Sequence, residues 1–245
     1  MKKWLIPLMI IVMLAVSAGM TAAGEEAAGI SAGDTVTFGR FPQAKNGNDL
    51  TPIEWLVLDV QEGKALLISK YGLAMRSFSQ LHSDKPDMYW DVSQLRTWLN
   101  DAFYGSAFSP EEQAAILAAT VENKKISFFN EGEDKPETED KLFVLSYAEA
   151  NRYLGVIPGG NDIRARSAPT PCAIARGAWT SETDRTADGE PAGHWWLRSA
   201  NGFGTAAVVD GSGGLIGYDI FRGGVMVRPA VWINPESEIF RSENP

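Results

Sequence analysis

With 245 residues, 44% of them hydrophobic, the chain can bury a substantial core, and its formal charge of −9 argues against nucleic acid or anionic lipid as partners, because both reward clustered lysine and arginine. The single cysteine, Cys172, excludes an internal disulfide and a paired-cysteine zinc site, so the fold must be held by its core alone.

Met1-Lys2-Lys3 supplies a positive start, Trp4 to about Val16 an apolar run, and Thr21-Ala22-Ala23 a small-residue cleavage site. Residues 1–23 therefore read as a secretory signal peptide; the apolar run is shorter than the roughly 20 residues of a membrane-spanning helix. Removing Lys2 and Lys3 with the leader takes the charge from −9 to −11. The expectation is a secreted, extracellular protein, free or associated with the cell surface, with no membrane insertion after cleavage. Residues 24–33 read as a linker, 34–234 as a single globular domain and 235–245 as a C-terminal tail.

Thr35 to Phe41 has the β-branched and aromatic content of a strand, and Pro42 to Thr51 is a polar loop with a turn at Asn46-Gly47. Pro52 to Val60 and Lys64 to Ser69 form a hairpin around Gln61-Glu62-Gly63. Period-two alternation puts Glu54 on one face with Leu56 and Leu58, so this acid is expected to be partly buried and clamped by Arg198 or Arg228 rather than catalytic. Ser93 can cap a helix running to about Phe103, whose face Leu95, Trp98, Leu99 and Ala102 is read as core. Trp90, Trp98 and Phe103 are accordingly assigned to packing rather than to an aromatic binding platform.

Ser109-Pro110-Glu111-Glu112 is a capping box with proline at the first helical position, predicting a helix through about Ala119; a strand over Val121 to Ile126 follows. Asn130 to Asp140 is a dense acidic run without the ligand spacing of a calcium loop, so it reads as a solvated, mobile loop. Leu142 to Leu145 is a strand, and Ser146-Tyr147-Ala148-Glu149 a second capping box opening a helix that ends near Leu154-Gly155. Val156 to Gly193 reads as one long irregular segment with a helical turn over Cys172 to Arg176, the kind of loop that carries function. Cys172 reads as a buried thiol, and His194 as an edge residue. The chain closes on four runs, Trp195–Ser199, Thr205–Asp210, Leu215–Phe221 and Val225–Ile233, separated by glycine turns and read as one small antiparallel sheet.

Five segments in order, Pro52-Ile53-Glu54-Trp55-Leu56-Val57-Leu58, Arg96-Thr97-Trp98-Leu99-Asn100, Phe143-Val144-Leu145-Ser146-Tyr147-Ala148-Glu149-Ala150, Trp195-Trp196-Leu197-Arg198-Ser199 and Val227-Arg228-Pro229-Ala230, carry a resemblance. From about Asp34 to Asn234 the chain resembles the bacterial domain of unknown function numbered 6273, found mostly in exported and surface proteins. Its closing half is similar to C-type-lectin-like domains, as in formylglycine-generating enzymes and retroelement-diversified bacterial receptors. The resemblance implies an α+β fold, a C-type-lectin-like mixed domain with a small antiparallel sheet, two to three helices and long loops. First and last strands would lie close together, and a long loop region would display the binding surface.

Glu-Pro-Asn, Gln-Pro-Asp and Trp-Asn-Asp, the triplets of calcium-dependent sugar-binding lectins, are absent, and Cys172 has no second cysteine with which to hold copper. No cofactor, metal or catalytic residue is expected. The leading expectation is a binding module for a cell-surface carbohydrate or protein, with candidate contacts at Trp179, Asp184, Asn201, Phe203, Tyr218, Asp219 and Phe221. Glu54, Trp55, Trp98, Trp195, Trp196, Arg198, Arg228 and Trp232 are assigned to the structural core. One alternative is a glycan hydrolase pairing Asp184 or Asp188 with Asp219; another is an assembly domain with no small ligand.

Overall fold

A computed structural model describes residues 29–79, 89–126, 134–202 and 204–241. The leader 1–23, the linker up to residue 28, Phe203 and the start of the acidic run lie outside the described residues. The architecture is mixed α+β, built on two main sheets. Among the described residues, no helix is long and apolar enough to cross a membrane.

The first sheet runs Thr35–Phe41, Thr51–Gln61, Lys64–Ser69, Ala230–Ile233 and Ile116–Leu117, with Leu142–Phe143 also pairing the closing strand, all antiparallel. First and last strands thus share a sheet. Along Thr51–Gln61 it is Ile53, Trp55 and Val57 that turn inward, and Glu54 is exposed with its carboxylate 3.4 Å from Lys70 Nζ. The expectation of a buried Glu54 clamped by Arg198 or Arg228 is corrected here. Alternation says which residues share a face but not which face is buried, and the isoleucine–tryptophan–valine face removes more apolar surface from water.

The second sheet orders Leu215–Asp219, Thr205–Val209, Trp195–Gly202, Met226–Val227 and Ala74–Met75. Its first three strands are the expected antiparallel meander. The fourth expected run, Val225–Ile233, is divided: Met226–Val227 lies parallel to Trp195 in this sheet, whereas Ala230–Ile233 crosses to the first. Pro229 explains the break, because it offers no N–H to continue a ladder, and its carbonyl instead accepts from Ser69 N at 2.9 Å.

Ser93 caps the first long helix by accepting from Arg96 N; the helix Gln94–Trp98 runs on through a π turn at Leu99–Phe103 into Tyr104–Ala107. Both capping boxes form, opening Pro110–Ala115 and Tyr147–Leu154, and Gly155 closes the latter at φ 71°. The former stops short of the expected Ala119 because Ile116 turns extended to pair with Ile233. Two further expectations are overturned. Lys135–Asp140 of the acidic run is a strand paired with Ala119–Asn123, and the irregular segment contains a hairpin, Thr180–Arg185 with Pro191–Gly193. Tertiary pairing overrides the poor strand propensity of these charged residues.

Candidate functional site

The site grows from the corner where the hairpin strand Pro191–Gly193 hands over to Trp195–Gly202. His194 sits at that corner, and its Nδ1 accepts a hydrogen bond from Gly211 N at 3.0 Å, which puts the proton of the neutral ring on Nε2. Trp179 stacks on the imidazole with ring centres 4.1 Å apart and planes 22° from parallel, yet remains 44% exposed. Tyr218, from the edge strand of the meander, tilts against His194 at 6.1 Å and meets Trp196 edge-on at 6.0 Å. Gly224 adjoins the group at φ 92°, a backbone conformation that favours glycine, and a Cβ there would sit in ordinary contact with Trp179 Cβ at 3.7 Å and the Tyr218 hydroxyl at 3.9 Å. The backbone also locks the corner, since Trp179 N donates to Gly224 O at 2.9 Å.

Burial holds the His194 pKa below its ordinary value, and the charge of Asp210 opposes that shift only in part. A lowered folded-state pKa means the unfolded chain binds the proton more readily, so stability is lost as the pH falls below the ordinary 6.5 toward the folded value. His194→Gln is expected to flatten this limb of a melting temperature-versus-pH profile; an unchanged profile would show that His194 contributes no linkage.

The turn after Tyr218 leads into a cleft of about 400 Å3 whose walls include Phe41, Met75, Arg76, Ser77, Trp98, Arg176 and Gly223. The Arg76 guanidinium lies 4.2 Å over the Trp98 ring. Burial first, and then the like charge of Arg176, lower the Arg76 pKa. Among the described residues neither arginine forms an ion pair. Trp98 is therefore a wall of the cleft rather than a core residue. Leu95, Leu99 and Phe103 take the buried face of the helix and leave Trp98, half-buried, on its flank. Trp232 is likewise half-buried, because Val231 and Ile233 on either side of it turn into the core.

Of the candidate contacts, Trp179 and Tyr218 converge through His194. Asp219 closes the turn beyond Tyr218 by accepting from Phe221 N at 2.9 Å, and Phe221 is half-buried with its carbonyl accepting from Ser77 Oγ at 3.1 Å. Asn201 packs beside Gly217 in the sheet, with its Oδ1 buried and unpaired. Asp184 accepts from Ser181 Oγ at 2.8 Å within its hairpin, and Asp188 lies 3.3 Å from Lys70 Nζ. Cys172 is buried as a free thiol. Among the described residues no group of three His, Cys, Asp or Glu side chains could hold a metal ion.

Trp195, Trp196, Trp55 and Arg228 are buried. Arg198 is buried too, but its partner is Glu149 of the second capping box rather than Glu54. Arg76 and Arg176 were not legible as site residues. They stand a hundred positions apart and carry no local signal; only the fold brings them together.

The sequence pattern of the domain of unknown function (DUF6273) matches residues 62–235. The chain belongs to this family. The DUF6273 match takes in His194, Trp179, Tyr218, both arginines and Trp98, and leaves out Phe41 and the first two strands. No curated protein and no solved structure gives a significant match.

Proposed function

We propose that this DUF6273 chain is an exported, surface-acting binding module on a C-type-lectin-like scaffold, and that it takes an acidic saccharide on the face formed by Trp179, His194, Tyr218 and the adjoining arginine cleft. One observation carries the reading: in a chain of net charge −9, Arg76 and Arg176 flank Trp98 without an acidic partner among the described residues. A carboxylate or sulfate on a sugar can take a charge-assisted, bidentate hydrogen bond from a guanidinium, while an exposed indole stacks on the sugar ring. The hydrolase alternative gains less support, because Asp184, Asp188 and Asp219 are each already engaged in a turn or an ion pair.

An array of acidic and neutral glycans, screened with the chain from residue 24 onward with and without calcium, tests the reading. Binding of acidic glycans without calcium is expected, weakened about tenfold or more by Arg76→Ala or Trp179→Ala. Because Trp179 is 44% exposed, its loss should leave the melting temperature nearly unchanged. Preference for neutral glycans, or indifference to both substitutions, sinks the proposal.

A further inference from the structure

A second cleft, of about 500 Å3, opens between the outer face of the first hairpin and the helix Tyr147–Leu154. Leu56, Leu58, Tyr153 and Ile163 line it, and Tyr153 is held in place by its hydroxyl donating to Asp59 Oδ2 at 2.9 Å. Ile163 is 49% exposed, an apolar side chain left in water at the wall of the cleft. The volume lies within the roughly 300–1,000 Å3 of ordinary small-ligand sites.

Arg228, only 1% exposed, also lines this cleft. Its guanidinium makes one hydrogen bond to the described residues, Nε to Ser69 O at 3.0 Å, and Nη1 is buried without a partner. The ring of Trp195 lies 4.8 Å away, which offsets part of the desolvation but supplies no acceptor. Burial alone pushes the Arg228 pKa down to about 9, with no neighbouring acid to oppose it. The other cations of the cleft differ: Lys70 is held between Glu54 at 3.4 Å and Asp188 at 3.3 Å, Arg164 is 2.6 Å from Asp162, and Arg166 donates to the carbonyls of Ser212, Arg185 and Asn161. A buried guanidinium left without acceptors is costly and needs an anion or another acceptor.

From this geometry we infer that the cleft is a ligand site distinct from the aromatic–arginine face, and that it takes a carboxylate with an apolar body. The carboxylate pairs with Arg228, and the apolar part lies between Leu58 and Ile163. The chemistry is shared by a free short-chain acid and by a peptide's C-terminal residue.

Nitrogen-15 correlation spectra of the chain from residue 24 onward, following the Arg228 Nε–H resonance, test the inference. Hexanoate stands for the free acid, N-acetyl-leucine for a chain terminus, hexanamide for an uncharged tail and inorganic phosphate for a tail-less anion. Saturable shifts with hexanoate or N-acetyl-leucine, and none with hexanamide or phosphate, are expected; whichever acid binds more tightly identifies the source. Ile163→Asp, at an already exposed position, should weaken that binding about tenfold or more while leaving the fold intact, so the test does not depend on an Arg228 variant that folds. Trp179→Ala should leave it unchanged, which separates this site from the acidic-saccharide face. Absence of saturation with both acids, or an equal response to hexanamide or phosphate, overturns the inference.

Discussion

Replacing Arg198 with methionine is expected to destabilise the protein by about 3 kcal/mol, the lower end of the range for breaking a buried ion pair by removing one partner. The Arg198 side chain is 2% exposed, and its Nη1 and Nη2 reach the Glu149 carboxylate at 2.5 and 2.9 Å. The same guanidinium donates to Val144 O at 2.9 Å and Glu122 O at 3.1 Å, tying the central strand of the second sheet to the chain before the capped helix and to the acidic hairpin. Glu149 retains 29% of its side-chain exposure, so water can partly solvate the orphaned carboxylate, which is why the lower end applies. For a chain of this size the loss corresponds to a fall in melting temperature on the order of 10 °C.

Burial by itself would raise the Glu149 pKa, but the charge and hydrogen bonds of Arg198, with those of Ser146, hold it below the ordinary 4.5. A lowered folded-state value means this contribution is present above pH 4.5 and is lost as the pH falls through the folded pKa. Arg198→Met should therefore show its largest deficit near neutral pH and converge on the parent in acid. Melts across pH check this, and a double-mutant cycle with Glu149→Gln isolates the coupling. An effect under about 1 kcal/mol would make the pair no more than a surface contact.

Asp140→Ala is expected to cost about 3 kcal/mol, the lower end of the range for breaking a buried ion pair, because Arg96 keeps 28% of its side-chain exposure and two carbonyl acceptors. The Asp140 side chain has no exposure and accepts from Trp90 Nε1 at 2.7 Å, Arg96 Nε at 2.6 Å and Thr138 Oγ1 at 2.8 Å. Alanine would strand a buried indole N–H and a guanidinium together. Chemical denaturation should show the midpoint falling with an unchanged slope, since the native fold rather than its compactness is weakened. Exposed Glu137, three residues earlier on the same strand, serves as the control: Glu137→Ala should stay within about 0.5 kcal/mol of the parent. Equal effects at the two positions would return the segment to the status of a solvated loop.

Local signals were legible in advance because their partners lie within a few residues. Ser93, Ser109 and Ser146 each accept from a backbone N–H three positions on, so a cap and its helix are written in adjacent residues. The hairpin around Gln61-Glu62-Gly63 and the meander after Trp195 followed from alternating runs broken by glycine turns. Four of the five ordered motifs lie within the span matched by the DUF6273 family, and Pro52 to Leu58 precedes it.

What tertiary structure alone decided were choices between alternatives that local chemistry leaves equal. Glu54 faces water because packing selects which side of an alternating strand is buried. Arg198 takes Glu149 rather than Glu54, and Pro229 sends the last strand into another sheet, because ladder partners come from far along the chain. Trp98 lines a cleft instead of the core because Leu95, Leu99 and Phe103 take the buried face of its helix and Arg76 is folded over its ring from a distant segment. A cap or a tight turn is a short-range hydrogen bond, and its energy is set by neighbouring residues; a site or an ion pair depends on which surfaces the whole chain can bury together.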